Sequence, residues 1–312
     1  MLPSYQRTTV LQTPCLAAEQ TRLDYSVQSP RRLLDQVRDV IRLKHYSIRT
    51  EDAYVFWVRR FVRFCALRHP RECGAADVAS FLTHLATEGQ VAASTQNQAK
   101  SALLFLYKEV LQCELPWLDG IETAKRPARL PVVLTEHEVR RLLAETQGTS
   151  GLVLRLLYGT GMRVMEGLRL RVKDVGFERR EIIVREGKGF RDRVTMLPAS
   201  LIEDLGRQLA RVKLLHERDL REGFGEVYLP YALARKYPSA ARQWMWQYVF
   251  PSQSLSVDPR SGARRRHHAD PQAIQRALRD ALRHAGIARH ATPHTLRHYL
   301  PFLTMSCISA RA

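Results

Sequence analysis

The chain has 312 residues, which is enough for two domains that each bury a hydrophobic core. It carries 49 Lys and Arg against 31 Asp and Glu, a formal net charge of +18, and such an excess favours a polyanionic partner. No apolar run approaches the roughly 20 residues that span a bilayer, and the first residues lack the hydrophobic core of a signal peptide. The composition therefore argues against a membrane-spanning or secreted protein.

The cysteines do not form a recognisable site. All five are scattered along the chain, without a CxxC pair or a Cys/His cluster. They are Cys15, Cys65, Cys73, Cys113 and Cys307. This usage predicts a reduced cytoplasmic protein with buried or idle thiols and without a metal site.

The first part of the chain is predicted to be an arm followed by a helix bundle. Residues 1–30 lack periodicity and are expected to be poorly ordered. Residues 31–116 hold four amphipathic helical patterns with short connections, which is typical of a small bundle. The second pattern covers Glu51–Leu67, and either Ser47 or Thr50 is placed to cap it.

This second helix carries both apolar and basic side chains. Its aromatic residues recur at helical spacing and are expected to pack in the core; they are Tyr54, Trp57, Phe61 and Phe64. Arg59, Arg60 and Arg63 lie on the same helix. In a protein with this excess of positive charge, these arginines are candidate contacts for phosphate groups.

Residues 117–131 are basic, contain proline and lack periodicity, so they are predicted to form an interdomain linker. Lys125 and Arg126 suit a linker that crosses a DNA duplex, but they suit a merely soluble linker equally well. A second domain is expected from residue 132 to 312. Its first helix should open at Thr135, because a glutamate three residues later completes a capping box.

The segment YGTGMR organises the second domain. Gly159 and Gly161 permit a tight turn and a close approach of the backbone to a ligand. Arg163 should begin the next helix, with Glu166 three residues on and on the same face. An arginine there offers a planar fork of donors that suits a phosphate. The alternative is an ordinary loop–helix junction with an ion pair.

A β-hairpin is predicted next. Ile182–Val184 and Val194–Leu197 have the composition of paired strands, and Gly187-Lys188-Gly189 lies between them. Lys188 would therefore lie in or beside the turn, where a lysine is usually a solvated charge. A long helix is expected to follow over Leu201–Glu222.

Residues 225–270 combine aromatic and basic side chains. The aromatic residues Trp244, Trp246, Tyr248 and Phe250 precede a run of basic ones. The basic run is Arg264, Arg265, Arg266, His267 and His268. Aromatic rings beside a basic run suit stacking on unpaired bases together with attraction to phosphate. The alternative is a small hydrophobic cluster beside a solvated loop.

The motif TPHTLRH is predicted to open a helix, with Thr292 as its cap and Pro293 at its first position. His294 and Arg297 are then three residues apart and lie on one face.

In this order, the arginine of TGMR, the lysine of GKG and the motif HTLRH resemble the tyrosine recombinase (phage integrase) family. More narrowly, the segments YGTGMR…GLRLRVKD, IIVREGKG, ALARKYP, DPRSG…RRHH and ATPHTLRH resemble integron integrases. The resemblance runs from about Arg31 to His298. It implies a mainly α fold with a small β-sheet: an N-terminal four-helix, SAM-like core-binding domain and an α+β catalytic domain with an integron-type insertion at about 225–270.

The resemblance also implies roles for the singled-out residues. Arg163 and Arg297 would hold the non-bridging oxygens of a phosphodiester, Lys188 would protonate the leaving 5′ oxygen, and His294 would orient the phosphate. Glu166 would buttress Arg163. The family's nucleophile is a tyrosine that forms a 3′-phosphotyrosine link, and no metal or cofactor is required.

The partner implied by the resemblance is DNA, both a double-stranded attachment site and a folded single-stranded cassette site. The insertion would recognise bases flipped out of the folded strand, through Trp246, Arg265, Arg266, His267 and His268. Self-association on DNA as a tetramer is expected from the family. So is a location in the bacterial cytoplasm, at the nucleoid and away from membranes.

The sequence departs from the family pattern after HTLRH. The pattern continues with a helix, a second histidine in a Gly-His box and then the tyrosine nucleophile, none of which is recognisable in YLPFLTMSCISARA. Tyr299 lies two residues past Arg297, towards the opposite helix face, and Pro301 would break the helix. We therefore expect a truncated or frameshifted integrase that does not cleave. The alternatives are a non-catalytic protein that occupies recombination sites and an inert remnant.

Overall fold

The structure is a computed structural model, and it describes residues 32–113, 132–185 and 191–299. The described residues fall into two compact units, with the division between Ala128 and Arg129. Several predicted features lie outside the described residues: the arm 1–30, the linker 117–131 with Lys125 and Arg126, Lys188, and Pro301.

The first unit is a bundle of four helices, as predicted. They are α1 (Leu33–Leu43), α2 (Ile48–Phe64), α3 (Ala75–Thr87) and α4 (Ala93–Phe105). A π-helical turn, Leu106–Val110, continues α4. Ser47 is the cap of α2, because its hydroxyl accepts a hydrogen bond from the Thr50 backbone N–H at 3.2 Å.

The core of this bundle is built on the aromatic stripe of α2. Trp57 and Phe61 are buried, which confirms the prediction for those two rings. Phe64 lies at the edge of the core, 39% exposed, and its ring packs 5.3 Å from that of Phe81. Tyr107 is also buried, and its hydroxyl is placed to hydrogen-bond the backbone carbonyls of Pro70 and Cys73.

The second unit contains six α-helices and five strands among the described residues. The helices are α5 (Glu136–Ala144), α6 (Gly148–Thr160), α7 (Val164–Leu168), α8 (Ile202–Arg221), α9 (Tyr231–Lys236) and α10 (Pro271–His284). The strands are β1 (Val175–Gly176), β2 (Glu181–Val184), β3 (Arg193–Met196), β4 (Pro251–Val257) and β5 (Arg264–His268). The predicted capping box opens α5: Thr135 Oγ1 accepts from the Glu138 N–H, and the Glu138 carboxylate accepts from the Thr135 N–H.

The strands form two antiparallel sheets. One has the order β1-β2-β3 and includes the predicted strand pair, with Ile182 opposite Thr195 and Val184 opposite Arg193. The other is the β4–β5 hairpin, so the basic run 264–268 is a strand and not a loop. The predicted fold class, mainly α with a small β component, is confirmed.

The main core of the second unit lies between α6, α10 and the inner face of the three-stranded sheet. Leu154, Leu156 and Leu157 of α6 are completely buried, and Ile182 of β2 and Leu278 of α10 belong to the same cluster. This core holds α6, α7 and β2 together, and β3 is held by its pairing with β2. In the parts of the chain that the structure describes, no helix has the length and apolarity needed to cross a bilayer.

Candidate active site

The turn between α6 and α7 places Arg163. Helix α6 extends through Thr160, so the predicted Tyr-Gly-Thr-Gly turn is shorter than expected, and Gly161 alone makes the reversal with φ at +63°. Glycine adopts this left-handed conformation without a Cβ clash. Arg163 is the residue just before α7, and its backbone N–H donates to Glu166 Oε2 at 2.8 Å.

Glu166 holds two arginines from different elements. Arg163 Nη1 donates to its Oε1 at 2.8 Å. Arg193 of β3 donates to both carboxylate oxygens, through Nη1 at 3.1 Å and Nη2 at 2.6 Å. The Glu166 side chain is only 7% exposed, so its carboxylate is largely desolvated and its hydrogen bonds to the two charged guanidinium groups are strong.

The pKa of Glu166 follows from this environment. Burial raises the pKa of the carboxyl, but the hydrogen bonds from Arg193 and Arg163 outweigh burial and lower the pKa to about 2. Glu166 is therefore ionised at neutral pH and can act as a fixed acceptor for both guanidinium groups.

Arg297 lies close to this cluster. It belongs to a 3₁₀ helix, Thr295–Tyr299, whose Leu296 is buried in the main core. Burial lowers the pKa of Arg297, and repulsion by Arg163 lowers it further, while Glu166 opposes the change. Three guanidinium charges minus one carboxylate charge leave the cluster with a net charge of +2. Such a site is suited to bind a phosphate.

The predicted start of the last helix is wrong. Thr292 does not cap a helix that begins at Pro293; instead the Thr292 N–H donates to Thr295 Oγ1 at 3.0 Å and closes a turn. The Arg297 N–H then donates to the His294 carbonyl at 3.1 Å, and the 3₁₀ helix begins at Thr295. His294 is consequently exposed in the turn, while Arg297 is half-buried.

Arg193 was not among the predicted site residues. Along β3, Val194 and Met196 are 63% and 70% exposed, whereas Arg193 and Thr195 face the interior of the unit. Thr195 Oγ1 donates to the Thr160 carbonyl at 3.3 Å. Alternation of apolar and polar residues suggests the opposite orientation. In the sequence, Arg193 could have been singled out only as an arginine that lies five residues after Lys188.

The residues between β2 and β3 that the structure describes are held by charged contacts. Arg185 Nε donates to Asp174 Oδ1 at 2.7 Å, and Arg185 Nη1 lies 3.4 Å from Asp192 Oδ2. The Asp174 side chain is only 4% exposed. These contacts hold the end of β2 and the start of β3 in place. Residues 186–190 lie outside the described part of the chain.

The prediction that Arg266 contacts DNA is contradicted by its position. Arg266 is 6% exposed, and its Nε and Nη2 bind the carboxylate of Asp219. Its Nη1 donates to the carbonyls of Ser252 and Gln253, both at 2.8 Å. Asp219 is itself buried, so it requires a counter-charge inside the protein. Arg266 therefore connects α8 to the β4–β5 hairpin.

Other predicted residues of the insertion surround Tyr248. The rings of His267 and His268 each lie 5.7 Å from the Tyr248 ring, and His267 is exposed. Trp246 is half-exposed, and one face of its ring is covered by Lys173, whose Nζ lies 3.2 Å from the ring centroid. At most one face of Trp246 is therefore open to a stacking partner.

Arg265 is partly occupied as well. It is half-buried, and its Nη1 lies 3.4 Å from Asp258 Oδ2. Part of its charge is therefore neutralised within the hairpin.

The first unit has a basic surface of its own. Arg59 and Arg63 of α2 are exposed and line an open groove of about 400 Å³ beside α1, and its lining also includes Arg32, Arg38, Asp35 and apolar side chains. Arg60 is half-buried, with its guanidinium 5.7 Å from the centre of the Trp57 ring. The groove can accommodate part of a phosphate backbone. Arg60 is less exposed than Arg59 and Arg63, so it is less accessible to a phosphate.

The described residues contain no group of three or more His, Cys, Asp or Glu side chains arranged to hold a metal ion. The side chains that they do bring to the candidate site are guanidinium groups and a buried carboxylate.

Comparison with known proteins gives the family. Residues 132–302 match the profile described as "Phage integrase family", and residues 33–117 match "Phage integrase, N-terminal SAM-like domain". An "Integrase/recombinase" of Escherichia coli is 52% identical over 267 residues, which cover 86% of this chain and 79% of that protein. The "Tyrosine recombinase XerD" of Agrobacterium fabrum is 31% identical over 73% of this chain and 66% of its own.

The fold is also shared with solved structures. A lambda integrase tetramer bound to a Holliday junction has a TM-score of 0.54 and 14% identity, and the match covers 85% of this chain and 67% of that one. At this identity the match supports the fold alone. The sequence matches over both units place the chain in the phage integrase family of tyrosine recombinases.

Proposed function

We propose that this chain is an integron-type integrase that binds DNA at recombination sites, and that the residues present here form no covalent link to it. The observation that carries the proposal is the cluster of Arg163, Arg193 and Arg297 around the buried carboxylate of Glu166. Its net positive charge suits a phosphodiester, whose negative charge increases in the transition state of strand transfer.

Each residue has a role in this proposal. Arg163 and Arg297 donate hydrogen bonds to the non-bridging oxygens, and Glu166 orients Arg163. Lys188 protonates the leaving 5′ oxygen from its hairpin turn. His294 assists in orienting the phosphate, which requires the turn at 292–294 to bring its exposed ring to the DNA.

We propose that the chain does not cleave DNA because Tyr299 cannot act as the nucleophile. Tyr299 is the one tyrosine after Arg297 in the sequence, and it lies in the same short 3₁₀ helix, two residues further on. A group so close to Arg297 along the chain does not reach in-line attack on a phosphate that Arg297 itself holds. We therefore propose that Tyr299 is not the nucleophile.

The proposed partners are a double-stranded attachment site and a folded single-stranded cassette site. The formal net charge of +18 and the arginine groove of the first unit support binding to DNA. The exposed ring of His267 and the half-exposed rings of Trp246 and His268 support contact with unpaired bases. Arg265 would add attraction to phosphate there.

The arrangement on DNA is proposed by analogy with the family. The lambda integrase match is a tetramer on a Holliday junction, and we propose a tetramer on DNA for this chain. The proposed layout is a core-binding domain at 31–116, a basic linker at 117–131 with Lys125 and Arg126 near the duplex, and a catalytic domain at 132–312 with the insertion at about 225–270. We propose that the protein acts in the bacterial cytoplasm, at the nucleoid.

A nicked suicide substrate tests the proposal. The chain should bind this DNA in a salt-sensitive manner and yield no slow-migrating DNA–protein band on a denaturing gel. Addition of a C-terminal segment with the Gly-His box and tyrosine of the family should produce the band. A band from the present chain that Tyr299→Phe abolishes would make Tyr299 the nucleophile. Binding without a band after the segment is added would contradict the roles given to Arg163, Lys188, His294 and Arg297.

The second candidate function, occupation of recombination sites without any competence for cleavage, is distinguished by the same experiment. In that case the added segment does not produce a covalent band, whereas binding persists.

A further inference from the structure

The carboxylate of Glu166 is shared by two arginines, and each of its oxygens accepts from both. Oε1 accepts from Arg163 Nη1 at 2.8 Å and from Arg193 Nη1 at 3.1 Å. Oε2 accepts from the Arg163 backbone N–H at 2.8 Å and from Arg193 Nη2 at 2.6 Å. Because a carboxylate offers about four lone-pair positions, these bonds occupy all of them.

The two arginines use their donors differently. Arg193 commits both Nη atoms to Glu166, which is the bidentate arrangement. Arg163 gives its side-chain Nη1 alone, so its remaining guanidinium donors are not used by Glu166. The Arg163 side chain is 33% exposed, which leaves those donors accessible from solvent.

We propose that Arg193 is a positioning residue for the phosphate site: by occupying Glu166, it prevents Arg163 from closing both Nη atoms onto the carboxylate and leaves that arginine free to bind a phosphodiester. The inference rests on the proposed function, because it takes Arg163 as a phosphate ligand. Without Arg193, a buried carboxylate loses two of its donors, which is unfavourable. Arg163 is the neighbouring cation that can replace them, and in doing so it turns away from the DNA.

The loss of one positive charge would by itself weaken the binding of DNA by Arg193→Gln. The inference therefore needs a second variant that separates this loss of charge from the capture of Arg163 by Glu166. Arg193→Gln lowers the net charge of the cluster by one, whereas Arg193→Gln combined with Glu166→Gln keeps the wild-type net charge. In the double variant there is no carboxylate to capture Arg163. Binding should therefore return in the double variant if capture is the cause of the loss.

The experiment uses the full chain and a duplex that the wild-type protein selects from a random pool, with affinity measured by fluorescence anisotropy at fixed salt. We expect Arg193→Gln to weaken binding about tenfold, as Arg163→Gln does, because one charge-assisted hydrogen bond to phosphate is lost in each. The double variant should recover most of this loss. Arg193→Lys keeps the charge but not the two-atom fork, and it should fall between wild type and Arg193→Gln.

Arg179→Gln is the matched control, because this arginine lies in the same part of the unit with its side chain 82% exposed. Its effect should stay within about twofold. Thermal unfolding of every variant shows whether it is folded at the assay temperature. If Arg193→Gln is unfolded there, the affinities of Arg193→Lys and the double variant are compared with that of the wild-type protein instead.

Two results would overturn the inference while leaving the proposed function intact. One is weakening by Arg163→Gln but not by Arg193→Gln. The other is a folded double variant that binds as weakly as Arg193→Gln. If Arg163→Gln binds as well as wild type, the assignment of Arg163 as a phosphate ligand fails, and the inference fails with it.

Discussion

Arg266 and Asp219 form a buried ion pair between β5 and α8, with side chains that are 7% and 2% exposed. Loss of one partner leaves the other charge buried without compensation. We expect Arg266→Ala to lower the free energy of unfolding by about 3–5 kcal/mol. Chemical denaturation measures this change, and Arg264→Ala, at an exposed arginine at the start of the same strand, is the control. An unchanged stability with a reduced salt dependence of DNA binding would restore Arg266 as a DNA contact.

The arginine groove of the first unit should contribute to the salt dependence of DNA binding. Arg59→Gln and Arg63→Gln should each reduce the slope of log K against log salt by about 1, because each removes one phosphate contact. Fluorescence anisotropy over a series of salt concentrations measures the slope. Arg283→Gln, at a side chain 73% exposed in the second unit, is the control. Affinity that does not change with salt would contradict the assignment of DNA as the partner.

The insertion should favour unpaired bases. Combined replacement of Trp246, His267 and His268 by Ala should weaken binding to a hairpin with extrahelical bases by about tenfold more than binding to plain duplex, since stacking contributes about 1–3 kcal/mol per base. Competition between the two DNAs measures the ratio. Tyr237→Ala, also an exposed aromatic in the insertion, is the control. Equal losses on both DNAs would remove support for cassette-site recognition.

Glu166 should make stability depend on pH in the acidic range. Its pKa is about 2 in the folded protein against an ordinary value of 4.5. A lowered carboxyl pKa stabilises the fold fully above the ordinary value, and this contribution is lost as the pH falls towards the folded value. Glu166→Gln should therefore be less stable than wild type at pH 7, and the difference should narrow between about pH 4.5 and 2. Urea denaturation at several pH values measures it; a constant difference would contradict the lowered pKa.

The helices and the first sheet were predictable because their signals are local. The capping box at Thr135 and the apolar spacing of α2 depend on residues within a few positions of each other. The position of Arg163 next to Glu166 is equally local, at a spacing of three residues.

Contacts between distant segments were not predictable in the same way. Arg193 meets Glu166 across 27 positions, and Arg266 meets Asp219 across 47. The basic run 264–268 does not by itself indicate which arginine is buried. Arg266 is the buried one because its partner, Asp219, is a buried residue of α8. The predicted start of the last helix was wrong for a local reason. The hydroxyl of Thr295, and not that of Thr292, accepts the backbone hydrogen bond that closes the turn.

Hydrogen exchange at the backbone amide of Arg163 can report on the opening of this site. The amide hydrogen of Arg163 is donated to Glu166, so it can exchange with solvent deuterium when that contact opens. Its exchange rate therefore follows the opening of the carboxylate cluster as distinct from the unfolding of a whole helix. A phosphate-bearing ligand that tightens the cluster should slow exchange at this single amide.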